Sequence, residues 1–242
     1  MVVTSLFGQA RWERLVVTAK SGGIQPSEPH PLSYWTADPV SRDEGHDLCL
    51  GCRLGDHTVT REDYTTETEI IDIGTISGYR ILEVLNRVIG KPAFLGNKYK
   101  MLLVQVGSDQ YREIYHLEGQ PGPLGPARIV SVGKESILST MDRDGGNAGF
   151  CTERYWRFDQ SGPSPLDFSA VDGAIRKAVP ANTTFYARCF AIDLERQHIS
   201  APVQRADAEC RACGVLGTVT VHFTLNGSTV EPTTVQFVPA PN

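Results

Sequence analysis

The sequence predicts a mainly β protein, built as an antiparallel sandwich or as barrel-like sheets, with one short helix near 170–180. Three observations support this fold class. Short segments rich in Val, Ile, Thr and Tyr alternate apolar with polar residues, as half-buried strands do. Turn sequences that contain Gly, Asn or Asp separate many of these segments. Convincing helical spacing occurs once, and a hydrophobic content of 40% is enough for a substantial core.

The N-terminal part of the chain predicts strands around one long loop. Residues 12–20, WERLVVTAK, alternate as a first strand does. Residues 21–42 are rich in Pro, Gly and Ser, which predicts an extended loop with one short strand at LSYWT, residues 32–36. Residues 57–74, HTVTREDYTTETEIIDIG, are dense in residues that favour pleated, half-buried positions.

The next segment, YRILEVLNRVIGK at 79–91, fits two interpretations. Ile81, Leu85 and Val88 have helical spacing, whereas its β-branched and aromatic residues favour a strand, and we expect the strand. Residues 100–117, KMLLVQVGSDQYREIYHL, predict a hairpin with its turn at Gly-Ser-Asp.

The Pro/Gly-rich segment GQPGPLGP, residues 119–126, is the best candidate for a boundary. It predicts an N-terminal β region at 1–118 and a C-terminal β region at 127–242, or one continuous domain. Further strands are expected at 127–132, 136–141, 150–159, 183–194 and 197–204.

The predicted helix covers Ala170 to Val179. Val171, Ile175 and Val179 form its apolar stripe, Ser169 or Asp172 would cap its start, and Pro180 would end it.

The last segment, 217–239, predicts a hairpin with a type I′ turn at Asn226-Gly227. Alternation then directs two sets of side chains to opposite faces. The first set is Val219, Val221, Phe223 and Leu225, and the second is Thr218, Thr220, His222 and Thr224.

Charge and hydropathy argue against two classes of partner. The formal net charge is -5 and no basic stripe occurs, so we expect no nucleic acid. No apolar run approaches 18 residues, so we expect no membrane span. The first twenty residues lack the features of a signal peptide. We expect a secreted or periplasmic protein given without its signal peptide, or alternatively a cytoplasmic one.

Two C-x-x-C pairs, Cys49 with Cys52 and Cys210 with Cys213, carry the strongest chemical pattern. Two cysteines on one turn can hold a single ion, so the four thiols could form a structural zinc site. The gap between the pairs far exceeds the roughly 15–20 residues of ordinary zinc ribbons. Disulfides between the pairs are the alternative, and free or mixed thiols are a third. We expect the two pairs to lie close in space whichever chemistry joins them.

The remaining cysteines, Cys151 and Cys189, lie in two β segments and are candidates for a disulfide across strands. An oxidising compartment favours disulfides and a reducing one favours zinc. The expected cofactor is therefore none, or structural zinc.

Other candidate ligands are weaker. His46 and His57 flank the first C-x-x-C pair and could replace a sulfur in a metal shell. Asp142, Asp144 and Glu153 partly match a calcium loop, but the pattern lacks its central Gly, so we expect a plain turn.

Two further patterns also favour ordinary structure. Ser131 and Lys134 resemble a serine–lysine dyad without its companion motifs, which indicates coincidence. Tyr155 and Trp156 could offer an aromatic platform to a sugar, although core positions are the commoner role of such residues.

Two classes of function remain. The first is a non-catalytic secreted or surface β module, stapled by cysteines, that acts in binding or in structural assembly. It would take a protein or carbohydrate ligand, or would self-associate. The second is an enzyme of hydrolase type, metal-dependent in one version, whose site is assembled from residues distant in sequence. The absence of familiar nucleophile and cofactor motifs favours the first class.

Overall fold

The computed structural model describes residues 27–37, 53–54, 56–90, 97–119, 126–143, 151–185, 191–208 and 214–241. These residues form mostly antiparallel β sheets, which confirms the predicted fold class. Their contacts separate two compact units, one within 27–119 and the other within 126–241. The division into domains 1–118 and 127–242 stays a prediction. Within the described ranges, no helix combines the length and apolar character that a membrane crossing requires.

The first unit is a four-stranded antiparallel meander preceded by short elements. The short elements are helix α1 (Leu32–Trp35), the two-residue strands β1 (Arg53–Leu54) and β2 (His57–Thr58), and a 3-10 turn (Arg61–Asp63). The sheet follows in the order β3-β4-β5-β6. Its strands are β3 (Tyr64–Ile76), β4 (Tyr79–Gly90), β5 (Asn97–Gly107) and β6 (Gln110–Gly119).

Turn chemistry and two-sided burial explain the central part of this meander. Ser77 and Gly78 join β3 to β4 with φ angles of 50° and 86°, the positive pair that a type I′ hairpin turn requires. Strand β4 confirms the strand interpretation for 79–90, and Lys91 lies outside the described residues. Both faces of β4 are buried, with Ile81 on one face and Val84 on the other. Apolar residues therefore occur on both faces, and the sequence does not alternate simply between apolar and polar residues. The hairpin with its turn after Gly107 is also confirmed.

The short strand predicted at LSYWT is wrong, because these residues form α1. Pro31 precedes the helix with φ -57°, which suits entry into a helical turn. Trp35 is buried against Leu82, Met101 and Tyr111, and its Nε1 donates a hydrogen bond to the carbonyl of Tyr111 at 3.1 Å. Burial of the indole therefore outweighs the local β preference of Tyr, Trp and Thr.

The second unit contains two sheets and one helix. The first sheet has the order β10-β9-β8-β7 and the second has the order β11-β13-β14-β15, with β12 beside β13. Its elements are β7 (Arg128–Val132), β8 (Glu135–Arg143), β9 (Cys151–Asp159), β10 (Gly162–Pro165), α2 (Ser169–Ala178), β11 (Thr183–Phe185), β12 (Ile192–Asp193), β13 (His198–Arg205), β14 (Val215–Asn226) and β15 (Thr229–Pro239).

One hydrophobic core joins both sheets and α2 of this unit. Val130 and Ile137 enter it from one sheet, and Val219 and Phe223 enter it from the other. Strands that contribute apolar faces to a common core from two sheets give a sandwich-like arrangement. Phe168, fully buried beside α2, contacts the rings of both Tyr155 and Phe223.

Helix α2 confirms the predicted helix and corrects its cap. Val171 and Ile175 are fully buried, and Val179 packs against the same core. Ser169 is the first helical residue and not a cap, and Asp172 lies inside the first turn. The side chain that serves the helix start is Asp167, whose Oδ1 accepts a hydrogen bond from the Ser169 amide at 2.9 Å. Asp residues favour this local bond to a backbone two positions later.

The final hairpin is confirmed with a shifted turn. Val219, Val221 and Phe223 are buried, whereas His222 and Thr224 are exposed, as the alternation predicts. Asn226 pairs with Thr229, so the two turn residues are Gly227 and Ser228 and the predicted Asn226-Gly227 turn is wrong. Of the two, Gly227 alone has a positive φ, 60°. A glycine at the first central position is the preference of a type II′ turn, not of type I′.

Candidate functional site

The cysteine site lies mostly outside the described residues. Cys49, Cys52, Cys189, Cys210 and Cys213 fall in segments that the structure does not describe, and Cys151 begins β9 without a described side chain. The zinc site, the disulfides and the expected proximity of the two C-x-x-C pairs therefore stay predictions. Among the residues that are described, no group of three or more His, Cys, Asp or Glu is placed to hold a metal ion.

His57 has a structural partner. Its Nε2 lies 2.9 Å from Oδ2 of Asp63, and the same carboxylate accepts the Thr60 amide at 2.7 Å. The Thr60 backbone bond, then the bond to His57, hold the pKa of Asp63 below its usual value. The contact fixes the 3-10 turn that leads into β3. His46 lies outside the described residues.

The remaining weaker patterns are spread over ordinary structure. Asp142 lies on β8 opposite Thr152, Asp144 is outside the described residues, and Glu153 is buried on β9. Ser131 is exposed on β7 and Lys134 is exposed in the turn that follows. The plain turn and the coincidental dyad stay predictions.

Tyr155 and Trp156 occupy opposite faces of β9, as strand alternation requires. Their exposed fractions are only 6% and 7%. Neither ring is therefore placed to present a platform to a sugar, and both serve the interior of the fold.

The most accessible long element of the first unit is β3, whose position at the sheet edge makes it the candidate functional site. It has 13 residues and forms a ladder with β4 on one side. No other strand in the described part of the chain pairs with it. Residues 67–70 are exposed at every position, so both faces of the strand are open there. Ile70 is the apolar exception, with 47% of its surface exposed.

Two of the three carboxylates of β3, those of Glu69 and Asp72, are paired with arginines of β4. Asp72 accepts two hydrogen bonds from Arg80, from Nη2 at 2.7 Å and from Nε at 3.1 Å. These bonds lower the pKa of Asp72 and raise that of Arg80. Glu69 lies 3.5 Å from Nη2 of Arg87. Glu69 and Asp72 are thereby held against their own sheet.

Next to β3, one face of the sheet carries a row of polar side chains that starts at the exposed Thr68 and continues with the buried Asn86 and Tyr99. Thr68 donates its hydroxyl to Oδ1 of Asn86 at 2.7 Å, and Asn86 lies opposite Tyr99 on β5. Asn86 is fully buried, and its Nδ2 finds no hydrogen-bond partner among the described residues; the same holds for the buried hydroxyl of Tyr64. A buried polar group without a partner costs roughly 1–3 kcal/mol. The hydrogen bond from Thr68 satisfies the acceptor Oδ1 of the Asn86 side chain and links β3 to β4.

The sequence contains part of the information for this edge. Alternating Thr and Glu at 66–69 indicates a strand with exposed side chains. The absence of a described partner strand depends on sheet order, which no local pattern encodes. The Asp72–Arg80 pair likewise depends on the register across the Ser77-Gly78 turn.

Comparisons with known proteins give no relative. No family model matches the chain, and no curated protein and no solved structure matches it.

Proposed function

We propose that this chain is a non-catalytic β module that acts in assembly, joining a second copy of itself through antiparallel pairing of β3 with β3. The observation that carries the proposal is the combination of a 13-residue edge with exposure on both faces at 67–70. Long exposed edges pair readily with another strand, and proteins commonly block them with Pro, bulges or charged side chains. β3 has no Pro, and its one irregularity, between Asp72 and Gly74, lies beyond the exposed part.

Side-chain charge selects the register of this pairing. Opposite residues of an antiparallel pair share one face of the sheet, so a two-fold axis must pass through a residue position. Centring on Glu69 places it against its own copy, and centring on Thr68 places Glu67 against Glu69. Like charges directly opposite one another are destabilising. Both registers are therefore unfavourable.

A register centred on Ile70 avoids these repulsions. It places Ile70 against its own copy, which covers its exposed surface, and places Glu69 opposite Ile71. Centring on Ile71 also avoids like charges, but it leaves Ile70 opposite the carboxylate of Asp72. The centre at Ile70 is therefore favoured.

Edge pairing alone buries less surface than the roughly 1,200–2,000 Å² of a stable interface, so we expect a concentration-dependent dimer. Sedimentation velocity of the full chain over a range of concentrations measures it. Ile70→Lys should shift the equilibrium to monomer, because the favoured register places the two introduced lysines opposite each other.

Val106→Lys is the matched control, since Val106 is also an exposed apolar strand residue, at 42%, but lies near the end of β5. It should dimerise as the wild type does. A wild type that stays monomeric, or equal dimerisation of Ile70→Lys and the wild type, contradicts the proposal. Stronger dimerisation of Ile70→Lys contradicts the register, because it would mean that the introduced ammonium group lies opposite Asp72 of the second copy.

A further inference from the structure

Two histidines face each other on the outer surface of the second unit. Strand pairing places His198 of β13 directly opposite His222 of β14. Their ring centroids are 5.0 Å apart with 52° between the ring planes. His222 is exposed and His198 is half-buried, whereas the flanking Val221 and Phe223 are directed into the core. Both imidazoles therefore lie on the face that alternation directs away from the core.

The neighbouring side chains on this row offer oxygen atoms. Asp193 lies opposite His198 on β12, and Thr234 lies opposite His222 on β15. The Asp193 carboxylate is already engaged, since Oδ1 accepts the Arg196 amide at 3.0 Å and Oδ2 lies 3.7 Å from Nε of Arg196. Among these neighbouring side chains, the imidazole nitrogens of His198 and His222 are consequently the atoms best suited to bind a metal ion.

We propose that His198 and His222 together bind one divalent transition-metal ion through one ring nitrogen each. An ion about 2.0–2.1 Å from each nitrogen, near the tetrahedral angle, separates the two ring centroids by roughly 5 Å. The observed separation of 5.0 Å matches this spacing without a change of backbone. Imidazole suits Cu²⁺, Ni²⁺ and Zn²⁺, and the affinity order for such ions places Cu²⁺ first.

The site differs from a closed structural zinc site, because two protein ligands leave the other coordination positions to water. Its two ligands belong neither to the C-x-x-C pairs nor to β3. Ladder pairing of β13 with β14 places the two histidines directly opposite each other.

The test is calorimetric titration of Ni²⁺ into the full chain in a mildly alkaline buffer, because a histidine binds a metal ion through a neutral ring. His198→Gln and His222→Gln should each lose affinity at this site by at least about tenfold, or about 1.4 kcal/mol. His30→Gln is the control, because the His30 ring is stacked on Tyr34 with ring centroids 4.0 Å apart. All four proteins share the same cysteines, so binding to thiols cancels in the comparison.

Paramagnetic broadening by substoichiometric Ni²⁺ gives a second readout. The ring resonances of His198 and His222 should broaden together and before those of His30. Equal Ni²⁺ isotherms for the wild type and His222→Gln, or broadening of the His30 ring first, overturn the proposal.

Discussion

The hydroxyl of Tyr155 donates a hydrogen bond to the carboxylate of Glu153, two residues earlier on the same face of β9. Both side chains are buried. Burial first, and then the charge of Glu153, raise the pKa of Tyr155 well above its usual value, while Arg128 opposes them. The phenol therefore stays protonated in the folded protein and serves as a donor inside the fold.

This relationship predicts a loss of stability in alkali. Above about pH 10 the unfolded chain ionises Tyr155 and the folded chain does not, so the unfolded state binds fewer protons. The free energy of unfolding then falls as pH rises from that point, and below it the contribution is fully present. Tyr155→Phe should make this alkaline loss shallower. At neutral pH it should destabilise by about 1.5–3 kcal/mol, the usual value for a hydrogen bond to a charged group.

Guanidinium unfolding of the wild type and Tyr155→Phe, at neutral pH and in steps above pH 10, measures both effects. The same alkaline slope in the two proteins would show that the Tyr155 phenol does not cause the loss.

A second prediction concerns two glycines, Gly217 in crowded surroundings and Gly173 in open surroundings. A Cβ atom at Gly217 of β14 would lie 2.2 Å from the carbonyl oxygen of Val238 and 2.7 Å from the Phe237 ring. The obstacle is partly backbone, so Gly217→Ala should destabilise by about 3 kcal/mol or more, at the upper end for overpacking. Apart from its chain neighbours and the backbone of its own helix, a Cβ at Gly173 in α2 meets no atom of the described residues within 4 Å. Gly173→Ala should stabilise by about 0.5–1 kcal/mol through helix propensity.

Thermal and urea unfolding of the two variants against the wild type tests the contrast. A neutral Gly217→Ala would mean that β14 and β15 separate at little cost, and a destabilising Gly173→Ala would contradict the open surroundings of that position.

The third prediction concerns the core contact of α2. Ile175 has no exposed surface and packs in the core of the second unit. Ile175→Ala should destabilise by about 2–4 kcal/mol, the usual range for a buried large-to-small change. Lys177→Ala, an exposed change in the same helix, should stay within about 0.5 kcal/mol. Chemical denaturation of both variants measures the difference, and similar values would mean that the helix is not anchored through Ile175.

Local chemistry accounts for the parts of the fold that the sequence predicts. The hairpin at 100–117 and the β14–β15 hairpin follow from alternation and from turn residues, which act over a few positions. The stripe of α2 is equally local, because helical spacing alone aligns Val171 with Ile175.

The remaining parts depend on contacts between distant residues. α1 forms because Trp35 enters the core against Tyr111, a contact that no pattern within 32–36 contains. The His198–His222 pair depends on the register between β13 and β14, so each histidine is an ordinary strand residue within its own segment. The β3 edge depends in the same way on the order of strands in the sheet.

The start of α2 provides the last prediction, because sequence and structure assign the cap to different side chains. Ser169 or Asp172 is the expected cap, yet Ser169 is the first helical residue and Asp172 lies inside the first turn. Oδ1 of Asp167 accepts the Ser169 amide instead. Asp167→Ala should therefore destabilise by about 0.5–1.5 kcal/mol, the net value of one such hydrogen bond. Ser169→Ala leaves that bond in place and should stay within about 0.5 kcal/mol. The backbone of Asp167 bonds to Ser228 and Val230, and Asp167→Ala keeps both bonds, so the variant isolates the side chain. Urea unfolding of the two variants distinguishes the assignments, and a larger loss for Ser169→Ala would return the cap to Ser169.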